Sequence, residues 1–85
     1  MRIDKFLKVS RILKKREVAK QLALNDRLYI NDRLAKAASE VEVGDTIRII
    51  FGHREIIVRV LDIKTSASKE DAFNMYEVIE EKKDN

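Results

Sequence analysis

The sequence lacks cysteine and proline and has only two glycines and one histidine among its 85 residues. The absence of cysteine excludes disulfide bonds, thiolate nucleophiles and cysteine-ligated zinc, and it suits a reducing compartment. A single histidine excludes a metal site built from several imidazoles. The isolated glycines, Gly44 and Gly52, cannot form a glycine-rich phosphate-binding loop. We therefore expect a protein that is not an enzyme and that uses neither a cofactor nor a metal.

The sequence also has no long apolar run, and we expect no targeting segment. No stretch approaches the roughly 20 apolar residues of a membrane span, and Arg2, Asp4 and Lys5 place charge where a secretory signal would begin. Hydrophobic residues make up 45% of the chain and charged residues 39%, a balance typical of a small folded domain. We expect a cytoplasmic protein with no membrane partner.

Charge is distributed unevenly along the chain. Residues 1–36 hold eleven lysines and arginines against four acids, a net charge of +7, whereas residues 37–85 hold seven against eleven, a net charge of −4. Such a basic half favours a polyanionic partner, and it lacks the interspersed acids of a surface selected only for solubility. The pattern predicts nucleic-acid binding. The alternative is a solvated surface on which Arg2 pairs with Asp4, and Arg16 pairs with Glu17 or with neighbours of Lys20.

The apolar periodicity predicts an α+β fold, with two short N-terminal helices packed on a small, mostly antiparallel sheet. Asp4 is the expected N-cap of the first helix. The second helix is predicted over residues 15–24 and ends at Asn25 and Asp26, which tolerate a left-handed conformation. The two apolar faces would consist of Ile3, Phe6, Leu7 and Ser10 and of Val18, Ala19, Leu22 and Ala23.

The second half of the chain changes to a period of two, which predicts strands. Turn signals at 31–32, 44–45 and 52–53 separate them. The predicted strands lie at about residues 27–30, 33–35, 46–51, 55–61 and 75–79, with one helical turn at 70–74. His53 falls in a predicted hairpin turn, and we expect a surface residue there rather than a base or ligand. The charged tail at 81–85 is expected to be frayed.

A series of ordered matches resembles a known RNA-binding family. The matches are RIDKFL at 2–7, KREVA at 15–19, LA at 22–23, LYIN at 28–31, Lys36, Ser39 and VGDTI at 43–47. Together they resemble the S-four RNA-binding domain, or alpha-L motif, over about residues 1–50. Residues 51–80 would extend its sheet, so that residues 1–80 form a single RNA-binding domain. Within this family the chain is most similar to the ribosome-associated heat shock protein 15 group and, in that group, to the RqcP (YabO) family.

The chain departs from the family pattern at three positions. Many members carry glycine where this chain has Asp26 and Asp32, and many have a serine N-cap where Lys15 stands. Aspartate can adopt the same left-handed turn conformation. Lysine has no side-chain oxygen to cap the helix, and it adds a positive charge at this position. These departures affect the expected details of turns and caps, and they leave the basic helices in place.

The resemblance implies a ribosome quality control factor. Such proteins bind the large ribosomal subunit after a stalled ribosome splits, contacting its rRNA and the peptidyl-tRNA. With the RqcH (NEMF-family) factor they support template-free alanine tailing of the nascent chain. Carried onto this sequence, the resemblance implies that Arg2 and Arg16 hold phosphates, while Asp4 orients Arg2 or caps the helix. Further cations would supply the surrounding field: Lys5, Lys8, Arg11, Lys14, Lys15 and Lys20. We expect a monomer.

Two other functions remain open on the sequence. The S-four fold serves many RNA-binding proteins, so the chain could be an rRNA- or tRNA-binding ribosome assembly factor. It could also be a protein-interaction adaptor that uses its acidic half. The aromatic residues offer little surface for base stacking, because Phe6 is predicted in the core and Tyr29 is only a possible stacking platform. This scarcity favours recognition of backbone and shape in folded RNA over reading of single strands.

Overall fold

Three short helices and five strands make up residues 1–83, the part of the chain that the computed structural model describes. In chain order they are α1 (Ile3–Val9), α2 (Arg16–Leu24), β1 (Leu28–Ile30), β2 (Arg33–Leu34), β3 (Thr46–Phe51), β4 (Arg54–Val60), α3 (Lys69–Phe73) and β5 (Tyr76–Lys83). The strands form one antiparallel sheet in the order β2-β1-β3-β4-β5. The predicted α+β class is confirmed. Within residues 1–83, every helix is too short or too polar to cross a bilayer.

One hydrophobic core joins the helices to the sheet. On the sheet side, Ile47 and Ile49 of β3 are fully buried and alternate with partly exposed neighbours, as expected for a strand with one face in the core. Ile47 lies opposite Val58 of β4, which is also buried. The helices contribute Ile3, Phe6, Leu7 and Ala19 to the same cluster. Burial of these apolar side chains is the main force that stabilises the packing.

The apolar faces of the two N-terminal helices agree with the prediction except at one position. All four predicted residues of α1 are buried, and in α2 Ala19 is buried while Leu22 and Ala23 pack at the edge of the core. Val18 is exposed instead. It lies in the first turn of a nine-residue helix, where a small rotation of the helix is enough to leave one predicted core position outside.

The predicted turns depend on residues with a left-handed backbone. Asp26, Asn31 and Asp32 have φ values of 57°, 49° and 65°. Asp26 follows α2, and the other two residues connect β1 to β2. The aspartates that replace the family's glycines therefore supply the same turn geometry, because Asp and Asn visit this region more easily than other residues that carry a side chain.

The C-terminal strand is longer than predicted. Residues 80–83 continue β5, with Glu81 opposite Ile56 and Lys83 opposite Arg54. Cross-strand ion pairs join Arg54 to Glu81 and Lys82 to Glu55. The prediction of a frayed tail at 81–85 is therefore wrong for 81–83, because acidic and basic side chains of this strand find opposite charges on β4. Residues 84 and 85 lie outside the described residues.

Candidate nucleic-acid interface

The start of α1 is held by a loop from far along the chain. The N–H of Ile3 donates to the carbonyl of Ser39 at 2.7 Å, and the N–H of Asp4 donates to the carbonyl of Ala37 at 3.2 Å. The N-cap residue is Arg2, whose side chain makes no capping bond. The prediction of Asp4 as N-cap is therefore wrong. Because loop carbonyls satisfy these N–H groups, the Asp4 carboxylate is available for other partners.

The Asp4 carboxylate binds two arginines from different elements. Its Oδ2 accepts from Nη2 of Arg2, and its Oδ1 accepts from Nη2 of Arg16, both at 3.0 Å. Oδ1 also accepts the N–H of Lys5 at 2.8 Å. The Asp4 side chain is fully buried, whereas 47% of the Arg2 side chain and 40% of the Arg16 side chain are exposed. One buried carboxylate thus holds two guanidinium groups at the surface. We call Asp4, Arg2 and Arg16 the Asp4 cluster.

This arrangement decides between the pairings that the sequence left open. Arg2 pairs with Asp4, as the alternative reading allowed, but Arg16 also pairs with Asp4 rather than with Glu17. Each contact engages one terminal nitrogen of a guanidinium that carries five N–H donors. The Nε of Arg16 is buried and has no hydrogen-bond partner among residues 1–83. The second terminal nitrogen of each guanidinium makes no hydrogen bond within residues 1–83, so both arginines keep donors for a phosphate contact.

The ionisation of Asp4 stabilises this cluster. Burial raises the pKa of the Asp4 carboxyl group, but hydrogen bonds from Arg16 and the Lys5 N–H, together with the positive charges of Arg16 and Arg2, outweigh burial. The pKa of Asp4 therefore lies below its ordinary value of 3.8. The carboxylate is charged at neutral pH, and it can hold both arginines throughout the physiological range.

The other predicted cations lie on α1, on α2 and in the segment that joins them, and within residues 1–83 they have no acidic partners. Lys5 is partly exposed, and the remaining five are exposed: Lys8, Arg11, Lys14, Lys15 and Lys20. Among the described residues, none of these six side chains has a carboxylate within 4.0 Å. The C-terminal half differs, because Arg48, Arg54, Arg59, Lys64 and Lys82 all make ion pairs. The positive field of the N-terminal half is therefore not neutralised within residues 1–83.

A cleft of about 690 Å³ adjoins Arg2 between the end of α2 and the segment that follows β2. Arg2, Lys20 and Lys36 contribute positive charge to its lining, against the single acid Asp26. The exposed Leu24 and Leu34 contribute apolar surface, together with Ala23, Ala35, Ala37 and Ala38. Lys36 is missing from the predicted site residues, although its place in the basic half and in the family pattern was an available signal. The cleft extends the positive surface from the arginines to the loop that holds α1.

Two predicted residues lie in surroundings that the sequence did not indicate. The guanidinium of Arg48 lies over the Tyr29 ring at 4.2 Å from its centroid, so a cation–π contact already covers one face of this possible stacking platform. Arg11 has a left-handed backbone (φ 63°) after the end of α1, and its side chain lines a different pocket beside α3. Phe6 is fully buried, as predicted.

The fold and this surface together define a small basic domain of the nucleic-acid-binding class. The family model of the S4 domain matches residues 1–47, and the chain belongs to the S4 domain family. This finding confirms the resemblance that the sequence indicated.

Relatives match over nearly the whole chain. A Streptococcus pneumoniae protein named RQC P-site tRNA stabilizing factor is 48% identical over 81 residues, covering 95% of this chain and 92% of that protein. A Bacillus subtilis protein of the same name is 46% identical over 83 residues, and the match covers 98% of this chain and 96% of that protein. The trimeric structure of Vibrio cholerae heat shock protein 15 is similar, with a TM-score of 0.83 and 26% identity over 92% of this chain and 80% of that one.

Proposed function

We propose that this chain is an RNA-binding factor of ribosome-associated quality control that acts on the large ribosomal subunit in the cytoplasm. It binds the rRNA of that subunit and the peptidyl-tRNA left in the P site after a stalled ribosome splits. The single observation that carries the proposal is the near full-length identity of 48% to a protein named as a P-site tRNA stabilizing factor. The Asp4 cluster, together with the six other predicted cations that have no acidic partner within residues 1–83, provides the positive charge that such binding requires.

The mechanism we propose is positional. Because Asp4 restrains Arg2 and Arg16 before RNA arrives, less side-chain freedom is lost when their planar forks meet phosphate oxygens. The surrounding lysines attract the polyanion and release counterions when it binds. RNA held in this way would keep the tRNA in register for peptide transfer, without covalent chemistry by the protein itself.

The resemblance supports a more specific role within this process. We propose that the protein acts as a monomer beside the RqcH (NEMF-family) factor, which adds alanine residues to the stalled nascent chain without a template. Loss of the protein would then shorten or abolish the alanine tails. It would leave the splitting of stalled ribosomes intact, because the protein acts on the subunit that splitting produces.

The experiment is an affinity purification of the tagged full chain from cells, with identification of every bound RNA and protein. The proposal expects large-subunit rRNA and peptidyl-tRNA without the small subunit. Recovery of small-subunit or precursor rRNA would support an assembly factor instead. Recovery of proteins without RNA would contradict RNA binding and support an adaptor. A parallel purification of Arg16→Ala tests whether recovery of RNA depends on the Asp4 cluster.

A further inference from the structure

A second pocket, of about 200 Å³, lies where the turn after α1 meets α3 and the start of β5. Its lining consists of Ser10, Arg11, Lys69, Ala72, Phe73 and Tyr76. None of these residues belongs to α2 or to the Asp4 cluster, so this pocket is separate from the arginine site. It is smaller than the roughly 300 to 1,000 Å³ of sites for drug-sized ligands, and its size suits a single planar group.

The charge of this pocket favours an anion. Arg11 and Lys69 line it, and neither makes an ion pair with any of the residues that the structure describes. The neighbouring acids do not counter them there. Asp71 lies 4.0 Å from the amine of Lys64, and neither Asp71 nor Glu70 belongs to the lining. Among the residues that the structure describes, two cations and no carboxylate thus line the pocket.

The pocket also contains aromatic surface. Phe73, the last residue of α3, is 65% exposed, although most large apolar residues of the chain pack into the core. Tyr76 is partly buried beside it, and Ala72 forms an almost fully buried floor. An exposed aromatic ring that shares a pocket with two cations is a combination that suits an unstacked nucleotide, because every base presents a π-face and every nucleotide carries a phosphate.

We propose that this pocket binds one unpaired nucleotide of the RNA, with its base against Phe73 and its phosphate between Arg11 and Lys69. The proposal rests on the proposed RNA-binding function and deepens it. Arg11 then serves single-stranded recognition beside α3, while Arg2 and Arg16 hold backbone phosphates elsewhere. A protein side chain is the alternative occupant, but the two unpaired cations favour a phosphate-bearing ligand.

The test compares a short single-stranded oligouridylate with an A-form RNA duplex of equal length, using the full chain. Phe73→Ala should weaken single-strand binding about tenfold and leave duplex binding unchanged. Lys69→Gln should reduce the salt slope of single-strand binding by about 0.7, the contribution of one phosphate. The chain has no tryptophan, so Phe73→Trp introduces a unique fluorophore that the single strand, and not the duplex, should quench.

The matched control is Ile79→Ala. Ile79 is an apolar residue of β5 that is 46% exposed and does not line the pocket. This control should bind both RNAs as the wild type does. Unchanged single-strand affinity in Phe73→Ala, or an unquenched tryptophan in Phe73→Trp, would overturn the nucleotide pocket. If Phe73→Ala lowers retention on large subunits without changing RNA affinity, a protein occupies the pocket and the proposal fails.

Sedimentation with large subunits separates this proposal from the function on which it rests. If the wild type binds subunits through Arg16 while Phe73→Ala behaves like the wild type in every assay, the function stands and the nucleotide pocket fails. If the wild type binds neither subunits nor RNA, both fail.

Discussion

At the scale of single residues, Asp4 is the most informative position. A fully buried carboxylate is unfavourable unless charged partners and hydrogen bonds compensate for its lost hydration. Here two guanidinium groups and one backbone N–H do so. The same contacts fix the two arginines at the surface, so one residue serves both the stability of the fold and the geometry of the proposed phosphate site.

Asp4→Asn should destabilise the protein in a pH-dependent way. At pH 7 we expect a loss of about 1.5 to 3 kcal/mol in the free energy of unfolding, typical of hydrogen bonds to a charged group. Because the pKa of Asp4 is lowered in the folded state, its contribution is complete above the ordinary value of 3.8 and declines as the pH falls through the folded pKa. Urea denaturation of both proteins between pH 7 and pH 3 measures this difference.

The matched control is Asp32→Asn, which changes an exposed carboxylate at a position where asparagine also tolerates the left-handed backbone. Its stability should follow that of the wild type at every pH. A difference between wild type and Asp4→Asn that stayed constant from pH 7 to pH 3 would contradict the stabilising role of the ionised Asp4.

The sequence supplied the members of this site but not its geometry. Arg2, Asp4 and Arg16 were predicted from the basic half and the family pattern. The wrong N-cap prediction has a physical cause, since the carbonyls that bind the N–H groups of α1 come from residues 37 and 39. Local sequence rules cannot include such long-range partners. The position of Phe73 beside Arg11 likewise depends on how α3 packs, which the local sequence does not determine.

At the scale of elements, Asn31 joins the β1–β2 hairpin to β3. Its Nδ2 donates to Oδ1 of Asp45 at 3.0 Å, and its Oδ1 accepts from the N–H and the hydroxyl of Thr46 at 2.9 and 3.2 Å. The residue itself has a φ of 49°. Asn31 therefore combines a strained turn conformation with three hydrogen bonds that fix the start of β3.

Two substitutions at Asn31 separate these contributions. Asn31→Gly removes the hydrogen bonds while glycine adopts the left-handed conformation freely, so we expect a loss of about 1 kcal/mol in the free energy of unfolding. Asn31→Ala should lose about 1 to 2 kcal/mol more, because alanine resists this conformation. Urea denaturation at pH 7 measures both variants. Equal stability of the two variants would show that backbone strain at this turn is unimportant.

The elements also show which sequence signals are sufficient to predict the bounds of a strand or helix. The strand β3 agrees with its prediction to the residue, because alternating isoleucines between two turn signals leave no other register. The helical turn predicted at 70–74 lies one residue earlier, at Lys69–Phe73, where Ser68 caps it by accepting from the N–H of Asp71. The extension of β5 was missed because a run of charges looks like a solvated tail until its partners on β4 are known.

At the scale of the whole molecule, the cations divide into two populations. The lysines and arginines of the N-terminal half lack acidic partners within residues 1–83 apart from Arg2 and Arg16 on Asp4. Those of the C-terminal half are paired within the same residues except Lys69 and Lys83. The charge asymmetry of the sequence is thus matched in the structure by a difference in ion pairing between the two halves. Lys69, from the acidic half, lines the pocket beside α3 together with Arg11.

This charge distribution predicts a strong salt dependence of RNA binding. Each neutralised phosphate contributes roughly −0.7 to −0.9 to the slope of log affinity against log salt concentration. Contacts from Arg2, Arg16 and neighbouring lysines should therefore give a slope steeper than about −2. Fluorescence anisotropy with a labelled rRNA fragment between low and moderate salt measures it. A slope near zero would contradict a phosphate-binding surface and favour an adaptor.

The central claim is that arginines held by Asp4 bind the large ribosomal subunit. Co-sedimentation with purified large subunits carrying peptidyl-tRNA tests it directly, with Arg16→Ala compared against Arg59→Ala. The control is matched, because Arg59 is 47% exposed and pairs with Glu77 on the sheet. We expect Arg16→Ala to lower affinity about tenfold or more, as loss of a charge-assisted hydrogen bond implies, and Arg59→Ala to bind as the wild type does. Equal retention of the two variants would contradict the claim.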